Sequence, residues 1–260
     1  MTYETIRLET DARGIARLTL NRPDKHNALN EQMMREITAA CGLLTKDASV
    51  RAVVLAAEGA SFCAGGDLSW MKEQAARDRA GKIEGAGVLA AMLKTLDELP
   101  KPVIARVHGN AFGGGIGMMA VADIVVAAEG VALTLTETRL GLIAATIGPY
   151  VVGRIGEGWS RRMLLSARRF GVAEALNMGL VSRVALPAEL DAAVADEADA
   201  FLACAPGAVA HAKAYIRALT RGNVGDPIAF SAEALADRWE TAETQAGIAA
   251  FLARRPMPWA

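Results

Sequence analysis

The chain has 260 residues, 52% of them apolar, and a formal charge of −1 from 28 basic and 29 acidic side chains. A chain of this size buries about 70–75% of its unfolded surface and needs no disulfide framework to fold. The balanced charge argues against a broad phosphate-binding face, so nucleic acid is not an expected partner.

In chain order, Tyr3 to Glu9 and Ile15 to Leu20 alternate across a turn at Asp11 to Gly14, which predicts a β-hairpin. The opening segment contains acids and fits neither a signal peptide nor an Arg-rich transit peptide. From Asn30 a helical period places Met33, Ile37, Cys41 and Leu44 on one face. Short apolar runs at Ala52 to Ala57, Pro102 to Val107 and Ile124 to Ala127 predict buried strands. Between them, Leu89 to Leu99 reads as a helix stopped by Pro100. Strand and helix alternate in this way up to about Leu186, which predicts an α/β fold with crossover connections. Beyond Pro187 the pattern is helical only, with Leu190, Val194 and Phe201 on one face and three more stretches between Pro206 and Arg255. A boundary near Ala200 is therefore expected, dividing a core (1–200) from a helical tail (201–260) that packs against a neighbouring subunit.

No apolar run reaches the length of a membrane span. Cys41, Cys63 and Cys204 are far apart and in no CxxC pattern, which points to a reducing compartment, the cytoplasm, and to no cysteine-based zinc site. His26, His108 and His211 form no metal-binding spacing, so no metal is expected.

Two glycine-rich stretches follow predicted strands: Ala60-Ser-Phe-Cys-Ala-Gly-Gly-Asp67-Leu68 and Gly109-Asn-Ala-Phe-Gly-Gly-Gly-Ile-Gly117. Glycines at a strand-to-helix turn let a ligand approach the backbone, and the first amides of a helix lack internal acceptors. Two such turns are able to aim two amides at one developing oxyanion, although a plain tight turn is the commoner use of a Gly-Gly pair. Gly115-Ile-Gly117-Met-Met-Ala120 also matches a dinucleotide fingerprint, but the helix it opens is too short for a crossover, which argues against NAD.

Asn21-Arg-Pro-Asp-Lys-His-Asn-Ala-Leu29, Ser61 to Leu68, Lys101 to Gly115, Ala122-Asp-Ile-Val125, Glu174 to Ser182 and Gly247 to Arg255 together resemble the enoyl-CoA hydratase/isomerase (crotonase) superfamily. The resemblance implies a spiral of ββα units with a C-terminal helical oligomerisation region, a homo-trimer or homo-hexamer, and an acyl-CoA thioester ligand with no separate cofactor. It implies that the backbone amides of Gly66 and Gly114 hold the thioester oxygen. It places Lys25 near the CoA phosphates, Ala64, Asp67 and Leu68 at the adenine wall, and Arg254 at a neighbouring subunit's CoA phosphate. Surface charge is the alternative reading of Lys25 and Arg254.

Two-glutamate members of the family carry one glutamate just after the glycine triplet and another twenty residues on; this chain has Gly117 and Glu137 at those places. Glu137 is thus the expected proton-transfer group, in a short helix that Thr134 or Thr136 is available to cap. Helix-dipole complementation is its bland role, and Asp123, at the start of a strand, reads as structural.

Asp67 to Met71, Gly113 to Gly117, and Thr136 to Ile143 followed by Ala145 to Val152 resemble the one-glutamate bacterial branch containing 3-methylglutaconyl-CoA hydratases and other enzymes of branched-acid breakdown. This implies hydration of a branched 2-enoyl-CoA, with Trp70, Met71 and Tyr150 at the acyl end and Arg139 or Lys72 for a substrate carboxylate. Ala144 stands where that branch has proline, so a differently shaped loop before Tyr150 is expected. A single carboxylate equally suits 3-enoyl to 2-enoyl isomerisation. A non-catalytic CoA-binding protein is the alternative from another class; RNA binding is disfavoured by the lack of a Lys-rich helix.

Overall fold

The computed structural model describes residues 2–259. Strands β1 (Ile6–Thr10) and β2 (Ile15–Leu20) form the expected antiparallel hairpin. β1 begins later than Tyr3 because the backbone N–H groups of Glu4 and Thr5 donate to the Glu36 carboxylate rather than to a ladder. Helix α1 (Glu31–Lys46) starts where Asn30 caps it, accepting from the Met33 N–H at 3.0 Å, and buries Met33, Ile37, Cys41 and Leu44.

Three strand–strand–helix units follow. The first is β3 (Ala52–Ala57), β4 (Ser61–Cys63) and the helix pair α2 (Leu68–Ala76) and α3 (Arg79–Asp97). The second is β5 (Val103–Val107), β6 (Asn110–Phe112) and α4 (Gly114–Val121). The third is β7 (Ile124–Ala128), β8 (Ala132–Thr134) and α5 (Gly148–Ser166). Then come β9 (Phe170–Gly171), α6 (Val172–Asn177), β10 (Arg183–Ala185) and helices α7 (Leu190–Leu202), α8 (Pro206–Arg221), α9 (Pro227–Trp239) and α10 (Ala242–Leu252).

The first strands of these units build one sheet, in the order β1-β2-β3-β5-β7-β10, and the second strands build another, β4-β6-β8-β9. This is the coiled ββα arrangement implied by the resemblance. β3 is buried along its whole length and β5 and β7 nearly so, as parallel strands covered on both faces require. The small sheet escapes sequence reading because its strands hold only two or three residues, too few to show alternation. α3 begins ten residues before the predicted Leu89: Asp78 caps it by accepting from the Gly81 N–H, within a glycine-interrupted stretch that hides its periodicity.

The expected boundary near Ala200 falls inside α7, which packs against β3, β5 and β7 and belongs to the core. The outer helical region starts at Pro206, and α8 and α9 have no fully buried residue in the single chain. Arg51 joins the two regions, donating to the backbone oxygens of Leu202 and Cys204 at the end of α7 and to that of Trp259. Asp123 is structural as expected: its Oδ2 accepts from the Val103 N–H and from Lys213 of α8, both at 2.7 Å. No helix among the described residues is long and apolar enough to cross a membrane.

Candidate active site

β4, β6 and β8 are adjacent and parallel, so the segments leaving their carboxyl ends emerge side by side. Those segments are Ala64–Gly66, Gly113–Gly114 and the stretch leading to Glu137. The carboxyl edge of a parallel sheet is where α/β folds bind ligands, because strand ends and helix starts converge there.

Contacts confirm the juxtaposition. A methyl group placed on Gly113 would stand 3.8 Å from the Gly65 Cα and 3.1 Å from Glu137 Oε1. Gly113 has φ 47 and ψ −113, outside the regions open to residues with a β-carbon, and this lets the chain turn from β6 into α4 beside the carboxylate. Its N–H continues the β6–β8 ladder by donating to the Thr134 oxygen at 3.1 Å.

Leu29 couples the two glycine turns. Its N–H donates to the Gly65 oxygen at 2.7 Å and its oxygen accepts from the Asp67 N–H at 2.9 Å, so it holds the backbone on both sides of Gly66. The Leu29 side chain lies against Gly114, where a methyl would come within 2.7 Å of Cδ1. Gly114 is the first residue of α4, so its amide precedes the helical ladder. The Gly66 N–H likewise has no backbone acceptor among the described residues.

Glu137 opens a 3-10 turn, Glu137–Leu140, and not an α-helix. Neither threonine caps it: Thr136 makes no side-chain cap, and the Thr134 hydroxyl donates to the Leu133 oxygen. Burial pushes the Glu137 carboxyl above the ordinary carboxylate range, against a smaller opposing effect of its own backbone N–H. Its Oε2 is buried without a hydrogen-bond partner among the described residues. A carboxyl in this state exchanges a proton nearer neutral pH than an exposed one. At Gly117, a second carboxylate would have no room: a β-carbon there would lie 2.5 Å from Ile147 Cγ2 and 3.5 Å from Leu93 Cδ2. Apolar side chains fill the space beside Gly117.

Asp67 sits beside Gly66, but its carboxylate is committed. It accepts from the Ser69 and Trp70 N–H groups, capping α2, and pairs with Arg22 at 2.9 Å. Burial pushes this carboxyl up, but the Arg22 guanidinium and the cap N–H groups outweigh it and hold the pKa below the usual value. Its place at an adenine wall is therefore backed only by position, and its visible work is to fix Gly66. Asn27, buried with φ 53, sends its side-chain amide to the Glu58 and Ser61 oxygens, and the Ala64 N–H donates to the His26 oxygen. The exposed Lys25 is thereby tied to the first glycine turn.

Leu68 is exposed and Ala64 half-buried. Trp70 and Met71 flank Gly66, where a methyl would meet Met71 Sδ at 3.3 Å and Trp70 Cε3 at 3.8 Å. Tyr150 packs on the C-terminal helices, with the Arg221 guanidinium 5.3 Å over its ring. Arg254 is exposed, in a left-handed conformation with φ 52. Arg139 and Lys72 are exposed too. Cys63 ends β4 next to both turns, but burial pushes its thiol up to about 12, so it is no nucleophile at neutral pH. Leu29, Arg22, Asn27 and Ile147 were not singled out from sequence; their only signal was position within the motif-bearing segments.

The profile of the family described as "Enoyl-CoA hydratase/isomerase" matches residues 10–260. The chain is 32% identical over 260 residues to a short-chain-enoyl-CoA hydratase of Clostridium acetobutylicum, covering 98% of this chain and 97% of that one. Among solved structures it is similar to an enoyl-CoA hydratase from Shewanella pealeana, with TM-score 0.94, 34% identity and coverage of 98% and 96% of the two chains. It is also similar to an enoyl-CoA hydratase of Mycobacterium smegmatis, with TM-score 0.92, 32% identity and coverage of 98% and 99%. With two glycine turns and a half-buried glutamate at one sheet edge, and with these matches along nearly its whole length, the chain is an enzyme that belongs to the enoyl-CoA hydratase/isomerase family.

Proposed function

We propose that the enzyme hydrates a 2-enoyl-CoA thioester to the 3-hydroxyacyl-CoA, with Glu137 as its single proton-transfer carboxylate. The observation that carries this reading is the half-buried Glu137, its Oε2 enclosed without a hydrogen-bond partner among the described residues and its Oε1 beside Gly113, at the edge where both glycine turns meet. In the proposed reaction the amides of Gly66 and Gly114 donate to the thioester oxygen as it gains charge, a contribution typically worth about 2.7–4 kcal/mol per donor. Glu137 takes a proton from water as the oxygen adds to the β-carbon, then delivers it to the α-carbon, so atoms and charge balance without a cofactor. CoA enters as part of the substrate, with Lys25 and a neighbouring subunit's Arg254 toward its phosphates.

A branched acyl group of the methylglutaconyl type is the finer reading and rests on the resemblance at Asp67 to Met71, Gly113 to Gly117, Thr136 to Ile143 and Ala145 to Val152. Isomerisation of a 3-enoyl-CoA is the second reading, and the apolar filling of the Gly117 side by Ile147 and Leu93 favours it, since one base suffices to move a proton between two carbons. Incubation with matched 2-enoyl-CoA and 3-enoyl-CoA thioesters, with products identified by mass, separates them. A gain of one water from the 2-enoyl substrate supports hydration; conversion of the 3-enoyl substrate without change of mass, and no hydration, supports isomerisation.

Assembly into a trimer or hexamer is part of the proposal. Ile228, Leu235, Trp239, Phe251 and Leu252 on the outer helices are all more than half exposed in the single chain, an apolar surface of the kind that subunits cover. Light scattering at micromolar concentration is expected to give three or six times the chain mass; a monomer would contradict the assembly and the role given to Arg254.

A further inference from the structure

α2 carries two polar side chains with nothing to bond to. The indole nitrogen of Trp70 and both polar atoms of the Gln74 amide are buried without a hydrogen-bond partner among the described residues. They are one helical turn apart and so share a face of α2. Trp70 stands against Gly66 at one end. At the other, Gly85 of α3 leaves room for the Gln74 amide, since a β-carbon there would collide with it. On α3, Gly85, Leu89 and Leu93 follow a four-residue spacing, and Leu93 reaches the Gly117 position. The Gln74 amide thus lies roughly 12 Å along α3 from the place where the second glutamate is missing.

Buried polar groups are costly unless paired, and a site that holds them rejects a ligand unable to pair them. Indole donates one hydrogen bond, while a carboxamide both donates and accepts. A plain alkyl chain admitted between α2 and α3 would satisfy none of them. An oxygen substituent would accept from the Trp70 N–H and the Gln74 amide, and a hydroxyl or a protonated carboxyl would also donate to Gln74 Oε1. The exposed Arg139 and Lys72 are not required for this.

We propose that Trp70 and Gln74 form a polar subsite that selects acyl chains bearing an oxygen substituent, hydroxyl or carboxyl, beyond the thioester. The proposal rests on the acyl-CoA reading above and deepens it. Because saturated acyl-CoAs bind without being turned over, titration calorimetry tests the subsite separately from the reaction. The probes are hexanoyl-CoA, 6-hydroxyhexanoyl-CoA and adipyl-CoA, against wild type, Trp70→Phe and Gln74→Met, with circular dichroism to establish that each variant is folded. Wild type is expected to bind at least one oxygenated chain about tenfold more tightly than hexanoyl-CoA, and each variant to reduce that preference to about twofold or less. Preference for the hydroxyl identifies an uncharged substituent, and preference for adipyl-CoA an acid. Equal binding of all three by wild type, or a preference that survives both substitutions, overturns the subsite while leaving the acyl-CoA reading standing. Failure of all three to bind overturns both.

Discussion

Glu137→Gln is expected to lower turnover at least about a hundredfold while leaving acyl-CoA binding within about twofold. Gln keeps the size and a hydrogen-bonding oxygen but cannot take up a proton, and the apolar Ile147 and Leu93 beside Gly117 offer no substitute base. The same substitution carries a stability signature of opposite sign. Burial raises the Glu137 pKa in the folded state, so folding disfavours its ionised form. The contribution of the protonated carboxyl to stability is fully present below the unfolded-state value and is lost as pH rises through the folded-state value. The melting temperature of Glu137→Gln relative to wild type should therefore climb with pH across that window and level off above it. The activity of wild type should rise over the same window, because the base must be ionised. Melting curves and kcat/KM profiles measured between pH 4 and 8 check both; a melting difference independent of pH would contradict the buried carboxyl.

The second large effect is expected at Gly113. Alanine there meets a disallowed backbone conformation and a Glu137 oxygen at 3.1 Å, so either the turn or the carboxylate must shift. Strain of this kind costs about 1–3 kcal/mol, and displacing the base or the neighbouring Gly114 amide costs about a hundredfold in rate. Gly130 supplies the control, since it has φ 81 and open space around its β-carbon position. Gly130→Ala should lose stability from strain but retain turnover, while Gly113→Ala loses both. Equal activity in the two variants, measured by steady-state kinetics with chemical denaturation alongside, would remove Gly113 from the site.

The elements legible in the sequence were those long enough to show a period. β3, β5 and β7 are apolar runs and α1 carries its own cap in Asn30, so both kinds of signal were local. The small sheet was not legible, although it is the one that positions the site, because two- or three-residue strands are defined by their neighbours and not by their own pattern. The two glycine turns could be named from their own residues as well as the resemblance, and Glu137 from the resemblance alone. Gln74 could not, because in a stretch as polar as Lys72-Glu-Gln-Ala-Ala-Arg77-Asp78 a glutamine reads as solvated surface until α3 is seen to cover it. Ile147 was equally silent: its meaning lies in the volume it takes from position 117, which only the packing of α5 against α4 reveals. Asp67 shows the reverse case, a residue given a ligand role by its motif whose carboxylate is already bound to Arg22 and the start of α2.

The central claim is that Glu137 alone carries the proton between water and the α-carbon. It is tested most directly by running wild type and Glu137→Gln in heavy water with a 2-enoyl-CoA and locating deuterium in the product by NMR. The account predicts a 3-hydroxyacyl-CoA with one deuterium at the α-carbon from wild type, and no label above background from the variant over the same time. Hydration and α-carbon labelling at undiminished rate in Glu137→Gln would contradict it.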